Sequence, residues 1–462
     1  MGNQPPAAPQ KPLGTVAVLG GGLAGMSAAL RLTALGYQVT LVERRPYLGG
    51  RAYSFVDRES GTQVDNGQHI FLGCCTAYTA FLDDIGTLGL THRQQRLRIE
   101  VHSPTGIRGI LSSLPLPLPA PLHLLPSFLL YPHLSWRDKL RAIPALLRIQ
   151  READRDRSDL QMMSFYDWLR RNGQSQRSID NFWELLVIPA LNDSSRNVNA
   201  SAGFMLFQVA LLQDRHGADV GYASQGLSEV MGTAVEQLLP IRGASLALGR
   251  SVERLQLDGD TVTSAALADG SLVQADWYVS ALPPSAMLAL LPQEQRNLPH
   301  WKGAAAHTWS PIVNLHVWYD CPVADFDFAA FVESPVQWVF NKTRISNLPG
   351  PGEYITVSLS AAWDYWPMSK LQMEALFLPE LTRILPKARN ARVERFIIVK
   401  EQRATFRSLP SSSASRLPAK TPQANLFLAG DWTDTGWAST MEGAVRSGVH
   451  AAEELHAARS ST

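Results

Sequence analysis

The chain has 462 residues, 45% hydrophobic and 18% charged, a length that exceeds what one hydrophobic core supports and predicts two closely packed domains. Lys plus Arg is 42 and Asp plus Glu is 41, so no basic excess exists to neutralise nucleic-acid phosphates, and the apolar content excludes a disordered chain. Three cysteines, Cys74, Cys75 and Cys321, cannot build a disulfide framework or a zinc site, and they fit a reducing, cytoplasmic setting.

The first twelve residues, MGNQPPAAPQKP, have no apolar run of signal-peptide type and read as a disordered tail. Residues 16–19 then form a short apolar run, glycines follow, and a helical pattern continues through Leu35 before a second short run at 39–42. That is strand, Gly-rich turn, helix, strand: a βαβ unit on a parallel sheet. Residues 226–239 look helical. Strand-like runs recur at 244–248, 252–257, 262–267 and 277–280, with Asp258-Gly259 and Asp269-Gly270 as hairpin turns. A second β-rich group lies at 312–319, 354–360 and 393–399. Another strand is expected at 426–428, followed by Gly-Asp and a helix over 440–457.

One segment breaks the pattern. No charged residue stands between Arg108 and Arg137, and Leu, Ile, Phe and Tyr dominate there. Its length would cross a bilayer, but Pro115, Pro117, Pro119, Pro121, Pro126 and Pro132 forbid a continuous helix, so it is not a membrane span. Two readings stand: a buried apolar loop, or an apolar mouth that dips into a membrane surface and admits a greasy substrate.

Gly20, Gly22 and Gly25 form G-x-G-x-x-G directly after a strand and at the start of a helix. The first glycine allows the tight turn, the second lets backbone approach a pyrophosphate, and the third lets helix and strand pack closely. The helix N-terminus, with Leu23 and Ala24, offers free N–H groups to phosphates. Glu43 closes the second strand eighteen residues past Gly25, where an acid hydrogen-bonds ribose hydroxyls.

Beyond these glycines come Leu48-Gly49-Gly50-Arg51-Ala52, then Asp65-Asn66-Gly67-Gln68-His69, and near the end Gly430-Asp431 and Thr440-Met441-Glu442-Gly443-Ala444. Together they resemble the flavin amine oxidase and phytoene desaturase superfamily. The resemblance implies an α/β fold: a Rossmann-like FAD-binding domain of amine oxidase or glutathione-reductase type, with an inserted α+β substrate domain. It implies FAD, held without a covalent bond because no cysteine follows Cys321. It implies FAD contacts at Gly20, Gly22, Leu23, Ala24, Gly25, Glu43, Arg44, Gly50, Arg51, Ala52, Gly67, Gln68, His69, Val252, Gly430, Asp431, Thr440, Met441 and Ala444. The FAD domain is expected at 13–72, 215–282 and 420–458, and the substrate domain at 73–214, largely helical, and 283–419.

Within the superfamily the chain is similar to the hydroxysqualene dehydroxylases. The residues that carry this are 65–73, Asn181-Phe182-Trp183, Pro189-Ala190-Leu191-Asn192, Glu401-Gln402-Arg403-Ala404-Thr405-Phe406 and 440–448. The resemblance implies reductive loss of an allylic hydroxyl from hydroxysqualene to give squalene, on the way to hopanoids or related triterpenes. It implies an apolar isoprenoid substrate, an external electron donor, and peripheral attachment to a membrane. A phytoene-type desaturase, an amine oxidase and a non-catalytic lipid chaperone of Rab-escort type are the alternatives. His69 is open between a place beside the flavin and a structural donor. Trp437 is open between flavin wall and core. Lys400 and Arg403 are candidates for the flavin's neighbourhood. Trp363, Tyr365 and Trp366 are expected in core or tunnel, and Cys74 and Cys75 as small packing residues.

Overall fold

The computed structural model describes residues 12–460. The expected tail therefore lies outside the described residues except for Pro12. Five short strands make one parallel sheet: β1 (Thr15–Leu19), β2 (Gln38–Glu43), β3 (Ser245–Leu248), β4 (Trp277–Ser280) and β5 (Leu426–Leu428). Their order is β3-β2-β1-β4-β5, so chain segments more than 400 residues apart share one sheet. Helix α1 (Leu23–Ala34) follows β1, and helix α2 (Met441–Ser460) follows β5. The two helices pack at backbone distance. A Cβ on Gly448 would stand 2.2 Å from the Ala24 carbonyl oxygen, and Ser27 Oγ donates to the Val445 carbonyl at 3.1 Å. Buried Val16, Val18, Met26, Leu41, Val279 and Phe427 fill the space between helices and sheet.

Asp258-Gly259 and Asp269-Gly270 turn the chain between strands, as their turn chemistry predicts: 252–258 pairs with 261–267, which pairs with 272–273, all antiparallel.

The second body centres on a seven-stranded sheet in the order 393–406, 309–319, 353–359, 338–341, 328–331, 98–102, 108–112. The last two strands come from the segment expected to be largely helical. They were hard to read because each is only five residues long, although Arg98–His102 alternates in strand fashion. Along Trp309–Tyr319 the alternation is clean: Val313, Leu315 and Val317 pack toward the helix 370–384, and Asn314 and His316 take the other face. Helices between 125 and 212 cover that face through Phe165, Trp183, Phe204 and Phe207. The uncharged stretch is broken into the strand end at 112, irregular backbone and a six-residue helix, 125–130. Among the described residues no helix is long and apolar enough to cross a membrane.

Candidate active site

The Gly-rich turn is built by steric exclusion. Gly20 has φ +107°, and its N–H donates to the Val42 carbonyl at 2.8 Å, tying the turn across the sheet. A Cβ on Gly25 would lie 1.8 Å from the Gly20 carbonyl oxygen, so no other residue fits. Gly22 caps α1 without any side-chain bond, leaving the first-turn N–H groups of Leu23, Ala24 and Gly25 without intrahelical partners. Gly50, at φ +61°, crosses Gly22 so closely that its Cβ would meet Gly22 Cα at 2.9 Å. Two strips of bare backbone thus flank a helix N-terminus, a cradle that suits a pyrophosphate.

Glu43 is buried at the end of β2, and its carboxylate accepts from Gly21 N at 2.7 Å and Arg45 N at 2.8 Å. Those bonds aim the acid and leave lone pairs for ribose hydroxyls. Gly249 N and Arg250 N donate to the carbonyls of Arg45 and Glu43, which brings the strand opened by Val252 beside this acid. Arg44 is exposed. Its neighbour Arg45 turns inward, donating to the Gly50 carbonyl at 2.7 Å and covering the Tyr53 ring. The two distant motifs meet directly: Arg51 Nη2 donates to Asp431 Oδ1 at 2.5 Å, and Arg51 Nη1 to the Ala404 carbonyl at 2.8 Å. Ser439 Oγ donates to the other Asp431 oxygen, and Gly430 N donates to Ser447 Oγ at 2.8 Å.

The predicted residues divide at this point. Leu23, Arg51, Ala52, Gly67, Gln68, His69, Asp431, Thr440, Met441 and Ala444 line a cavity of about 600 Å³. Gly20, Gly22, Ala24, Gly25, Glu43, Arg44, Gly50, Val252 and Gly430 lie outside it, around the nucleotide cradle. From its polar end the cavity runs between the helices and the large sheet, past Leu97, Leu111, Leu124, Phe128, Ile143, Leu186, Met205 and Leu206 to Trp338 and Phe340. Trp437 walls it, with the Arg446 guanidinium 4.4 Å over its ring. Cys74 and Cys75 line it as free thiols.

His69 faces the cavity with Nδ1 2.9 Å from the Gly67 carbonyl, and burial lowers its pKa, favouring the neutral ring. Lys400 is placed elsewhere: its Nζ donates to the Trp366 carbonyl at 2.7 Å, and Arg403 is exposed. A bulge explains the correction: the strand slips register between the Ile312–Glu401 and Ser310–Thr405 pairs, and Glu401, Ala404 and Thr405 line the cavity instead. Trp363, Tyr365 and Trp366 do not line it. Tyr365 packs edge-on against Phe377, and Trp363 is 46% exposed.

Several site residues carried no motif signal. Lys342 is one, and its partner Asp65, though it opens a quoted motif, shows its role only in space: both are buried and pair at 3.1 Å between the strand 63–65 and the end of the strand 338–341. Burial alone would push the Asp65 carboxyl up, but the Lys342 ammonium and donors from Leu227 N and Ser54 hold it below its usual range. His316, beside them, is driven down to about 3 by burial, with Nδ1 on the Tyr354 hydroxyl at 2.7 Å. Glu442 belongs to a quoted motif, yet its role is visible only in space. It accepts from Ala77 N and Tyr78 N at 3.1 and 2.7 Å, capping the helix 76–84, and pairs with Arg446 at 2.6 Å. Asn314 is 1% exposed and lines the cavity; its Nδ2 donates to the Asn66 carbonyl at 3.3 Å while Oδ1 has no partner. Gln68 Oε1, also at the cavity, is equally unpaired.

The sequence profile of the flavin containing amine oxidoreductase family matches residues 23–456. The chain belongs to that family. FAD is accordingly its cofactor, and the glycine cradle, Glu43 and the Arg51–Asp431 tie fit that group. Among curated proteins the chain is 27% identical to the 15-cis-phytoene desaturase of Synechococcus elongatus, over 95% of both chains. It is 26% identical to the 15-cis-phytoene desaturase of Narcissus pseudonarcissus, covering 97% of this chain and 80% of that one. The zeta-carotene desaturase of Arabidopsis thaliana is 27% identical, over 95% and 85%. Among solved structures, an oxidoreductase from Methanosarcina mazei superposes with a TM-score of 0.74 at 18% identity, over 95% of this chain and 100% of that one. The cyclohexylamine oxidase of Brevibacterium oxydans gives 0.68 at 18%, over 96% and 98%. These two establish the fold.

Proposed function

We propose that this flavoprotein exchanges hydride with a long, uncharged isoprenoid chain lying in the cavity. The observation that carries this reading is the continuity of an apolar channel with the flavin end of the nucleotide site. An amine substrate suits it poorly. Of the three carboxylates on its wall, Asp431 and Glu442 are occupied by Arg51, Ser439 and Arg446, Glu401 accepts from Arg403 N at 3.3 Å, and most of the remaining wall is aliphatic and aromatic. Bound FAD supplies the two-electron chemistry. The chain's own residues hold the hydrocarbon, exclude water and set the polar contacts at the reacting end.

Within that class we propose reductive dehydroxylation of hydroxysqualene to squalene. The carbinol C–O bond breaks, hydride forms the new C–H bond, and the hydroxyl leaves as water with one added proton. Support comes from the sequence runs shared with that group and from the unpaired oxygens of Asn314 and Gln68, which can accept from a substrate O–H. The second reading is desaturation of a phytoene-type polyene, and the names of the curated relatives favour it over dehydroxylation. Such a substrate brings no hydroxyl and leaves those oxygens unpaired. We propose in addition that turnover draws on an external reductant, and that the protein works at a membrane surface, where so apolar a substrate resides.

Anaerobic single turnovers test this. Dithionite-reduced holoenzyme mixed with hydroxysqualene should return to the yellow oxidised form and yield squalene. Bleaching of oxidised holoenzyme by phytoene, with hydroxysqualene untouched, would replace dehydroxylation by desaturation.

A further inference from the structure

The segment 108–151 presents an apolar face that its own fold does not cover. Leu130 is 80% exposed, Leu140 66% and Trp136 64%, and Leu122 and Leu125 are exposed while also walling the cavity. These residues are held together: Ser127 Oγ donates to the Ser112 carbonyl at 2.7 Å, and Lys139 Nζ to the Leu129 carbonyl at 2.7 Å. The helix 136–151 is two-sided. Ala142, Ala145 and Ile149 face inward, and Ile143 and Leu146 reach the cavity. Outward it shows Trp136, Arg137, Leu140, Arg141, Arg148 and Arg151. The sign of the charge is uniform. Between residues 101 and 151 the only carboxylate is Asp138, and it is buried in a capping box with Ser135 and bound by Ser175 Oγ. An exposed Trp and Leu ridge beside arginines, with no exposed acid in the same fifty residues, is the pattern of a helix lying in a lipid interface.

We propose that this face docks on an anionic bilayer, with Leu130, Trp136 and Leu140 entering the acyl boundary and Arg137 and Arg141 meeting lipid phosphates. It rests on the isoprenoid reading above and adds a lipid charge requirement to it. The arginine stems lie along apolar surface while their guanidinium groups stay at the headgroups. Docked in this way, the exposed rim at Leu122 and Leu125 opens the cavity toward lipid rather than water.

The test is vesicle flotation of FAD-loaded protein with phosphatidylcholine alone and with mixed phosphatidylcholine and phosphatidylglycerol. Binding should be strong to the mixed vesicles and weak to the neutral ones, and high salt should reduce it. Each of Arg137→Gln and Arg141→Gln should lower partitioning to the mixed vesicles about fivefold, the scale for one basic residue near a charged membrane surface. Leu130→Asp should weaken binding to both vesicle types. Turnover of detergent-dispersed substrate by R137Q/R141Q should equal that of the parent, which separates this proposal from the substrate reading. Equal binding to both vesicle types would overturn the charge requirement while leaving membrane attachment standing. No binding to either, or self-association abolished by Leu130→Asp, would overturn docking altogether.

Discussion

The nucleotide end and the hydrocarbon end of this molecule are built on opposite principles. Around Gly20–Gly25, Glu43 and Asp431 the contacts are polar, short and backbone-based, and a single added methyl would collide with a carbonyl. Around Leu186, Met205 and Phe340 the walls are apolar and enclose open space. One end is specified by where atoms cannot go, the other by what water leaves behind. Substitutions should therefore hurt steeply and specifically at the cradle, and shallowly along the channel. The buried Asp65–Lys342 pair bridges the strand 63–65 and the large sheet at the end of its strand 338–341.

That bridge offers the largest break. Lys342→Met should cost about 3–5 kcal/mol, because it strands the Asp65 carboxylate in the interior. Urea unfolding checks this, and the double variant D65N/K342M should recover much of the loss. Equal instability of single and double variants would show that the pair does not act as a unit.

Next comes Gly25→Ala, whose Cβ meets the Gly20 carbonyl oxygen. The turn must open to admit it, costing about 3 kcal/mol, and the purified variant should be largely colourless. A parent-like flavin-to-protein absorbance ratio would contradict the cradle assignment. Glu43→Ala removes the acceptor of Gly21 N and the carboxylate proposed for the ribose hydroxyls, and should weaken FAD binding by about 1–3 kcal/mol, read by flavin fluorescence on dilution. The same flavin should be released by acid precipitation, leaving the chain colourless.

How much of this was legible follows the same divide. Gly20, Gly22, Gly25 and Glu43 are close in sequence, and backbone sterics dictate their identity, so chemistry could be read from spacing. Asp431 and Thr440–Ala444 were legible only through resemblance, because nothing local says that β5 lies beside β4. The cavity was invisible as an object. It forms where 97–147, 182–212, 312–360 and 401–405 converge, and each piece reads merely as apolar. Asn314 and His316 looked like ordinary strand positions; only sheet alternation turns them to the face away from Val313 and Leu315. The Arg108–Arg137 stretch was read as too Pro-rich for one continuous helix, and it holds a strand end and a six-residue helix. Its burial was not legible: Leu122 and Leu125 are exposed and line the cavity at once, so the segment is not a buried loop.

A further effect is expected on pH. His316 holds its neutral form down to about 3, whereas an unfolded histidine titrates near 6.5, so between those values the unfolded chain binds the extra proton. Stability should therefore begin to fall as pH drops below about 6.5. The lowered pKa of Asp65 adds a further loss only at lower pH, within the carboxylate range. Thermal midpoints against pH check this, and His316→Gln should flatten the upper part of the decline. A parent profile flat until carboxylates protonate would contradict the placement of His316.

If flavin and hydrocarbon share one cavity, the flavin spectrum must report the hydrocarbon's arrival. Anaerobic, oxidised holoenzyme should show a saturable shift of its flavin absorption bands on adding squalene, the product of the proposed reaction. Putrescine and benzylamine should neither shift nor bleach them. Bleaching by either amine, with squalene silent up to its solubility limit, would contradict the claim and make the channel an amine site.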